Sequence, residues 1–95
     1  MAKFESRGND LYIDGRKVIK GYESFSGWYW FATDIVQKQD TLLDGKVHKD
    51  DTIYHGFVQG LEEEWGDFSK AELESLKGKI WEIPKNALVY SGRRR

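Results

Sequence analysis

Residues 56–76 read G-F-V-Q-G-L-E-E-E-W-G-D-F-S-K-A-E-L-E-S-L. A strand end, an acidic turn and a helix start follow one another within this stretch. Residues 52–59 lead into it with strand periodicity: Ile53, His55 and Phe57 share one face, and Tyr54, Gly56 and Val58 the other. Glu62, Glu63, Glu64, Trp65 and Asp67 then read as a solvated acidic turn. Ser69, with Glu72 three residues on, has the spacing of a capping box, and Phe68 with Leu73 that of a hydrophobic staple. Asp67 lies just ahead of the start, where the helix dipole favours negative charge. Gly78 supplies the left-handed residue that ends a helix. The spacing predicts a helix over 70–77 with Leu73 and Leu76 facing the core.

Working outward, residues 28–36 (W-Y-W-F-A-T-D-I-V) form the clearest strand, rich in aromatic and β-branched side chains. Trp28, Trp30 and Ala32 fall on one face; Tyr29, Phe31, Thr33 and Ile35 fall on the other. Two apolar faces predict a central strand covered on both sides. Asp14-Gly15 between residues 11–13 and 16–19 predicts a hairpin, because a type I′ turn needs positive φ at both central positions. A short strand is expected near residues 3–6 and a short strand or bend at 22–26. The polar stretch 37–51, with Asp44-Gly45 inside it, reads as a hairpin tip or a long loop. Residues 79–83 and 87–90, separated by Pro84-Lys85-Asn86, read as strands. The expected fold is α+β: a twisted antiparallel sheet of about five or six strands with one helix, about 70–77, packed on one face. The alternative is a small curved β-barrel carrying one helix.

Ninety-five residues make one domain of common size, burying roughly 60–65% of its unfolded surface. Residues 1–92 are expected to form it, followed by a disordered basic tail at 93–95. Aromatic residues make up 15% of the chain, enough for large rings to supply much of a small core. The absence of cysteine rules out disulfides, a thiolate zinc site and a Cys nucleophile, and fits a reducing cytoplasm. No apolar run is long enough for a signal core or a membrane span. Net charge is −1 but uneven. Residues 1–49 hold 8 Lys/Arg against 7 Asp/Glu, residues 50–92 hold 4 against 9, and Arg93, Arg94 and Arg95 close the chain.

The block from Tyr54 to Leu73 resembles a family of small uncharacterised proteins from archaeal, phage and plasmid genomes. Its members carry a G-x-V-x-G-like step, acidic residues, a Gly, and F-S-x-x-E-L. Here those positions are Gly56, Val58, Gly60, Glu62, Glu64, Gly66, Phe68, Ser69, Glu72 and Leu73. The resemblance covers about a fifth of the chain. It implies a mobile-element or archaeal context and carries no activity or catalytic residue.

Each chemical motif has a plainer competing reading. His48, Asp50, Asp51 and His55 are residue types that hold zinc, manganese or iron. On an extended strand, however, His55 stands about 13 Å from Asp51, so the four do not converge without a fold-back. Glu62, Glu63, Glu64 and Asp67 supply paired carboxylates, but acid/base pairs need a defined separation and one acid in an apolar pocket. No Ser pairs with a His in a nucleophile motif. G-F-V-Q-G lacks the Lys-Ser/Thr that completes a phosphate loop.

Trp28, Trp30 and their neighbours serve either as core or as a stacking surface for bases, sugars or protein. Arg16, Lys17 and Lys20, with the Arg tail, would supply charge for nucleic acid. The expected function is therefore a non-enzymatic, cytoplasmic binding module without a cofactor, metal or membrane contact. It would meet a protein partner through Glu62, Glu63, Glu64, Trp65 and Asp67. A nucleic-acid-binding accessory protein using Arg16, Lys17, Lys20, Trp28, Trp30, Arg93, Arg94 and Arg95 is the alternative.

Overall fold

The computed structural model describes residues 2–92, so the Arg93, Arg94 and Arg95 tail lies outside the described residues. Strands β1 (Phe4–Arg7), β2 (Asp10–Ile13) and β3 (Arg16–Lys17) form a three-stranded antiparallel sheet in that order. The expected hairpin is present: Asp14 has φ 51° and Gly15 φ 81°, the two positive values a type I′ turn demands. A five-stranded antiparallel sheet holds β4 (Lys20–Ser24), β5 (Tyr29–Leu43), β6 (Lys46–Gln59), β7 (Glu63–Ser69) and β8 (Ile80–Glu82). Its order is β7-β6-β5-β4-β8, so β7 and β8 are edges and the sheet is not a closed barrel. Helix α1 (Lys70–Glu74) follows β7, and α2 (Lys85–Leu88) follows β8. The result is a small, mostly β, mixed α+β fold.

The doubly apolar reading of β5 explains the core. Phe31 and Ala32 are neighbours in the chain and both are fully buried. Because successive side chains leave opposite faces of a strand, they enter separate clusters. Phe31 joins Phe57, Leu11, Ile13, Val18, Ile83 and Leu88, which brings the three-stranded sheet and α2 against one face. Ala32 joins Tyr22, Tyr54 and Leu73, the last contributed by α1. Gly56 lies opposite Ala32 where a bulge between Ala32 and Asp34 pulls β5 against β6. A Cβ at Gly56 would collide with the Phe31 carbonyl and the Ala32 Cα, so glycine is required for the approach. The same bulge shifts the alternation: Thr33 is buried and Ile35 is exposed, although both were expected on one face.

Several expectations are corrected. Of the two readings of residues 37–51 the hairpin holds and the long loop does not: they extend β5 and β6 into a long two-stranded arm whose tip is Asp44-Gly45. The stretch looks like a loop because an arm solvated on both faces needs no apolar alternation, and pairing with the neighbouring strand overrides propensity. The molecule measures 40 × 26 × 25 Å in consequence. The acidic run is not a turn either. Residues 60–62 make the turn, and Glu63 onward pairs with β6 as an edge strand.

In place of one helix over 70–77, the described residues form two short ones. Helix α1 ends at its C-cap Ser75, and Leu76 is exposed rather than in the core. The Leu76 carbonyl accepts the N–H groups of Lys79 and Ile80 around Gly78, whose φ is 86°, so glycine closes a turn that begins sooner than expected. Residues 87–90, expected as a strand, belong instead to α2 and the turn after it, placing Leu88 and Val89 inside. A short apolar run carries no period by itself, and Pro84 pre-sets the φ of a helical entry.

Candidate functional site

The β6–β7 register sets Trp65 opposite Phe57 and Asp67 opposite His55. The rings of Trp65 and Phe57 lie 5.3 Å apart between centroids, and the His55 ring lies 6.0 Å from Trp65 at an interplanar angle of 17°. Asp67 Oδ1 is 2.8 Å from His55 Nδ1. The β2–β3 hairpin of the other sheet adds Arg16, whose guanidinium stands 5.9 Å from the Trp65 ring and donates to Asp34 Oδ2 at 3.1 Å. Asp34, opposite His55 on β5, also accepts the Thr33 hydroxyl at 2.9 Å. Arg16, Asp34, His55, Trp65 and Asp67 thus form one aromatic and charged patch beside the free edge of β7.

His55 and Asp67 make the base-and-orienter half of an acid/base pair. Among the described residues no hydroxyl bonds to the His55 ring: Thr33 donates to Asp34 and to the His55 carbonyl. A ring held between an imidazole, a phenyl and a guanidinium is a rigid apolar anchor with charge around it.

The structure redistributes the residues marked in the sequence. Arg16, assigned there to nucleic acid, faces Trp65 of the acidic group. Lys17 pairs with Asp10 at 3.7 Å and Lys20 with Glu82 at 3.6 Å. Trp28 and Trp30 stay together, their ring centroids 5.9 Å apart and both half-buried. Trp28 covers Gly60, and Trp30 packs on the Tyr22–Tyr54 cluster. Along β7, Glu64 and Asp67 are exposed, as is Glu62 in the preceding turn, while Glu63 accepts from Gln59 Nε2 at 3.2 Å.

Of His48, Asp50, Asp51 and His55, the first three line the space between the β5–β6 arm and α1, and His55 points elsewhere. His55 meets Asp67, and the Asp50 backbone N–H donates to Asp40 at 3.1 Å. Asp51 is buried beneath α1 and accepts from Ser69 Oγ at 2.5 Å, Thr41 Oγ1 at 2.7 Å and the Ala71 N–H at 2.8 Å. Burial pushes its carboxyl up, but these bonds, with one from the Thr52 backbone, outweigh burial and hold it below the usual range. Among the described residues no three His, Asp or Glu side chains are grouped to hold a metal ion.

A second polar network was not legible in the sequence. Tyr22 donates to Glu74 Oε2 at 3.0 Å, and Lys70 donates to Glu74 Oε1 at 3.0 Å. Burial first, and then Glu74, push the Tyr22 hydroxyl far above its ordinary value. For Glu74 burial raises, yet the bonds from Lys70 and Tyr22 win and lower it. Only the Lys70–Glu74 spacing of four carried a local signal; Tyr22 and Glu74 are 52 residues apart.

No protein-family model, curated protein or solved structure gives a match to this chain.

Proposed function

We propose that this chain is a small non-enzymatic module that binds a protein partner along the β7 edge. Trp65 is the anchor, and Glu62, Glu64 and Asp67 form the charged rim. The observation that carries the reading is the place of Trp65, half-exposed on an edge strand and held between His55, Phe57 and Arg16. Trp and Arg are over-represented among residues that dominate interface energy, and an acidic rim selects a basic partner. Among the described residues β7 is an edge strand, the position at which strand addition takes place. The acidic side chains along it also discourage pairing between identical copies.

The protein reading stands ahead of the nucleic-acid one because Arg16, Lys17 and Lys20 each already face a carboxylate. A cytoplasmic setting rests on the cysteine-free composition, and a mobile-element or archaeal context on the resemblance of residues 54–73. No helix among the described residues is long and apolar enough to cross a membrane.

An array of extended peptides, some basic and some acidic, tests the reading. Basic peptides should bind, and both Trp65→Ala and the charge reversal Glu64→Lys/Asp67→Lys should abolish the signal. Equal binding by the reversed variant would sink the proposal.

A further inference from the structure

We propose a second site, for a phosphate-bearing ligand, in the cleft between the β5–β6 arm and α1. The cleft has a volume of about 640 Å³, within the range of small-molecule sites. Its charged and titratable lining is Lys38, His48, Lys49 and Asp50 from the arm, Asp51 at its root, and Lys70, Glu74 and Lys77 from α1 and the turn that follows.

The sign of the cleft follows from which of these charges are already compensated by an opposite charge. Asp51 accepts from Ser69, Thr41 and the Ala71 N–H, all neutral donors, so it is held in place but keeps its negative charge. Glu74 is held by Lys70 and Tyr22. Asp50 and Asp51 are the lining carboxylates without a cationic partner among the described residues. On the cationic side Lys70 is used, but Lys38, Lys49 and Lys77 have no carboxylate partner among the described residues. Three ammonium groups without a carboxylate partner among the described residues, with His48 beside them, therefore outnumber the two carboxylates Asp50 and Asp51. Ammonium groups on flexible stems suit a compact polyanion such as a di- or triphosphate, which each can approach as a point charge. The cations come from two elements separated in sequence, so the site exists only in the folded chain. It is distinct from the Trp65 patch.

The test is an amide NMR titration of labelled protein with inorganic pyrophosphate, then with a short single-stranded oligonucleotide. Pyrophosphate should move the amides of residues 38, 48–50, 71 and 77 in a saturable, salt-sensitive way. Lys49→Gln/Lys77→Gln, both at exposed positions, should keep the dispersed spectrum and weaken binding roughly tenfold or more. If the oligonucleotide moves the same amides, the phosphate belongs to a nucleic-acid backbone; if only pyrophosphate does, the ligand is a free phosphate compound. Either result supports the site. No shift with pyrophosphate, shifts centred elsewhere, or binding unchanged in the double variant would overturn it.

Discussion

Asp51 Oδ1 accepts the backbone N–H of Ala71 at 2.8 Å across twenty residues of sequence. Through this bond a β6 side chain caps a helix that begins at the far end of β7. Ser69 is the N-cap: its Oγ accepts the Glu72 N–H at 3.0 Å and donates to Asp51 Oδ2. The two residues share the exposed donors of the first turn, and each holds the other in place.

Ser69→Ala should therefore cost more than an ordinary cap. Losing a cap alone costs about 0.5–2 kcal/mol. Here the change also strips a donor from a buried carboxylate, so the expected loss is near the upper end, about 2 kcal/mol. Urea unfolding measures it. A loss below about 0.5 kcal/mol would mean that Asp51 carries the cap alone.

Acid should destabilise the fold through Asp51 and Glu74. Both have folded-state carboxyls held below their ordinary range. A depressed folded value means that the unfolded chain takes up protons first as pH falls. The stabilisation is thus complete above the unfolded value near 4 and is lost as pH drops through the folded values. The melting midpoint should be flat from about pH 7 to 5 and fall below about pH 4. In Asp51→Asn the acid-side fall should be shallower on a lower plateau. An unchanged acid limb would remove Asp51 from this role.

Gly56→Ala should be among the most damaging single-methyl additions, at about 3 kcal/mol, because the new Cβ meets backbone rather than a movable side chain. Gly66→Ala, next to Asp67 on β7, meets nothing within 4 Å and should stay within about 0.5 kcal/mol. Comparing the two variants by thermal unfolding checks the register of β5 on β6. Equal costs would place the close approach elsewhere.

Arg16→Ala should separate recognition from stability. The Arg16–Asp34 pair is more than half exposed on both sides, so its loss should cost no more than about 1 kcal/mol. Binding at the Trp65 patch should fall all the same, because the guanidinium forms part of that surface. A large loss of stability with unchanged peptide binding would make Arg16 a structural residue only.

Where the signal was local, the sequence carried it. The Asp14-Gly15 turn, the Ser69 cap, the Gly78 reversal and the doubly apolar centre of β5 each depend on residues a few positions apart, whose φ values, caps and alternation are set by near neighbours. The patch and the cleft were not legible. Trp65 and Asp67 were marked, yet their strand conformation comes from pairing with β6, and Arg16 reaches them only because a second sheet packs on Phe31 and Phe57. Residues 37–50 show no buried face, so nothing in their pattern separates a loop from a paired arm. The Ala87–Tyr90 segment became helix and turn because Leu88 and Val89 fit the open side of the core. Local chemistry thus determined turns, caps and the central strand of this protein. Long-range pairing and burial decided how the strands divide between two sheets, where the acidic strand lies, and which charges meet.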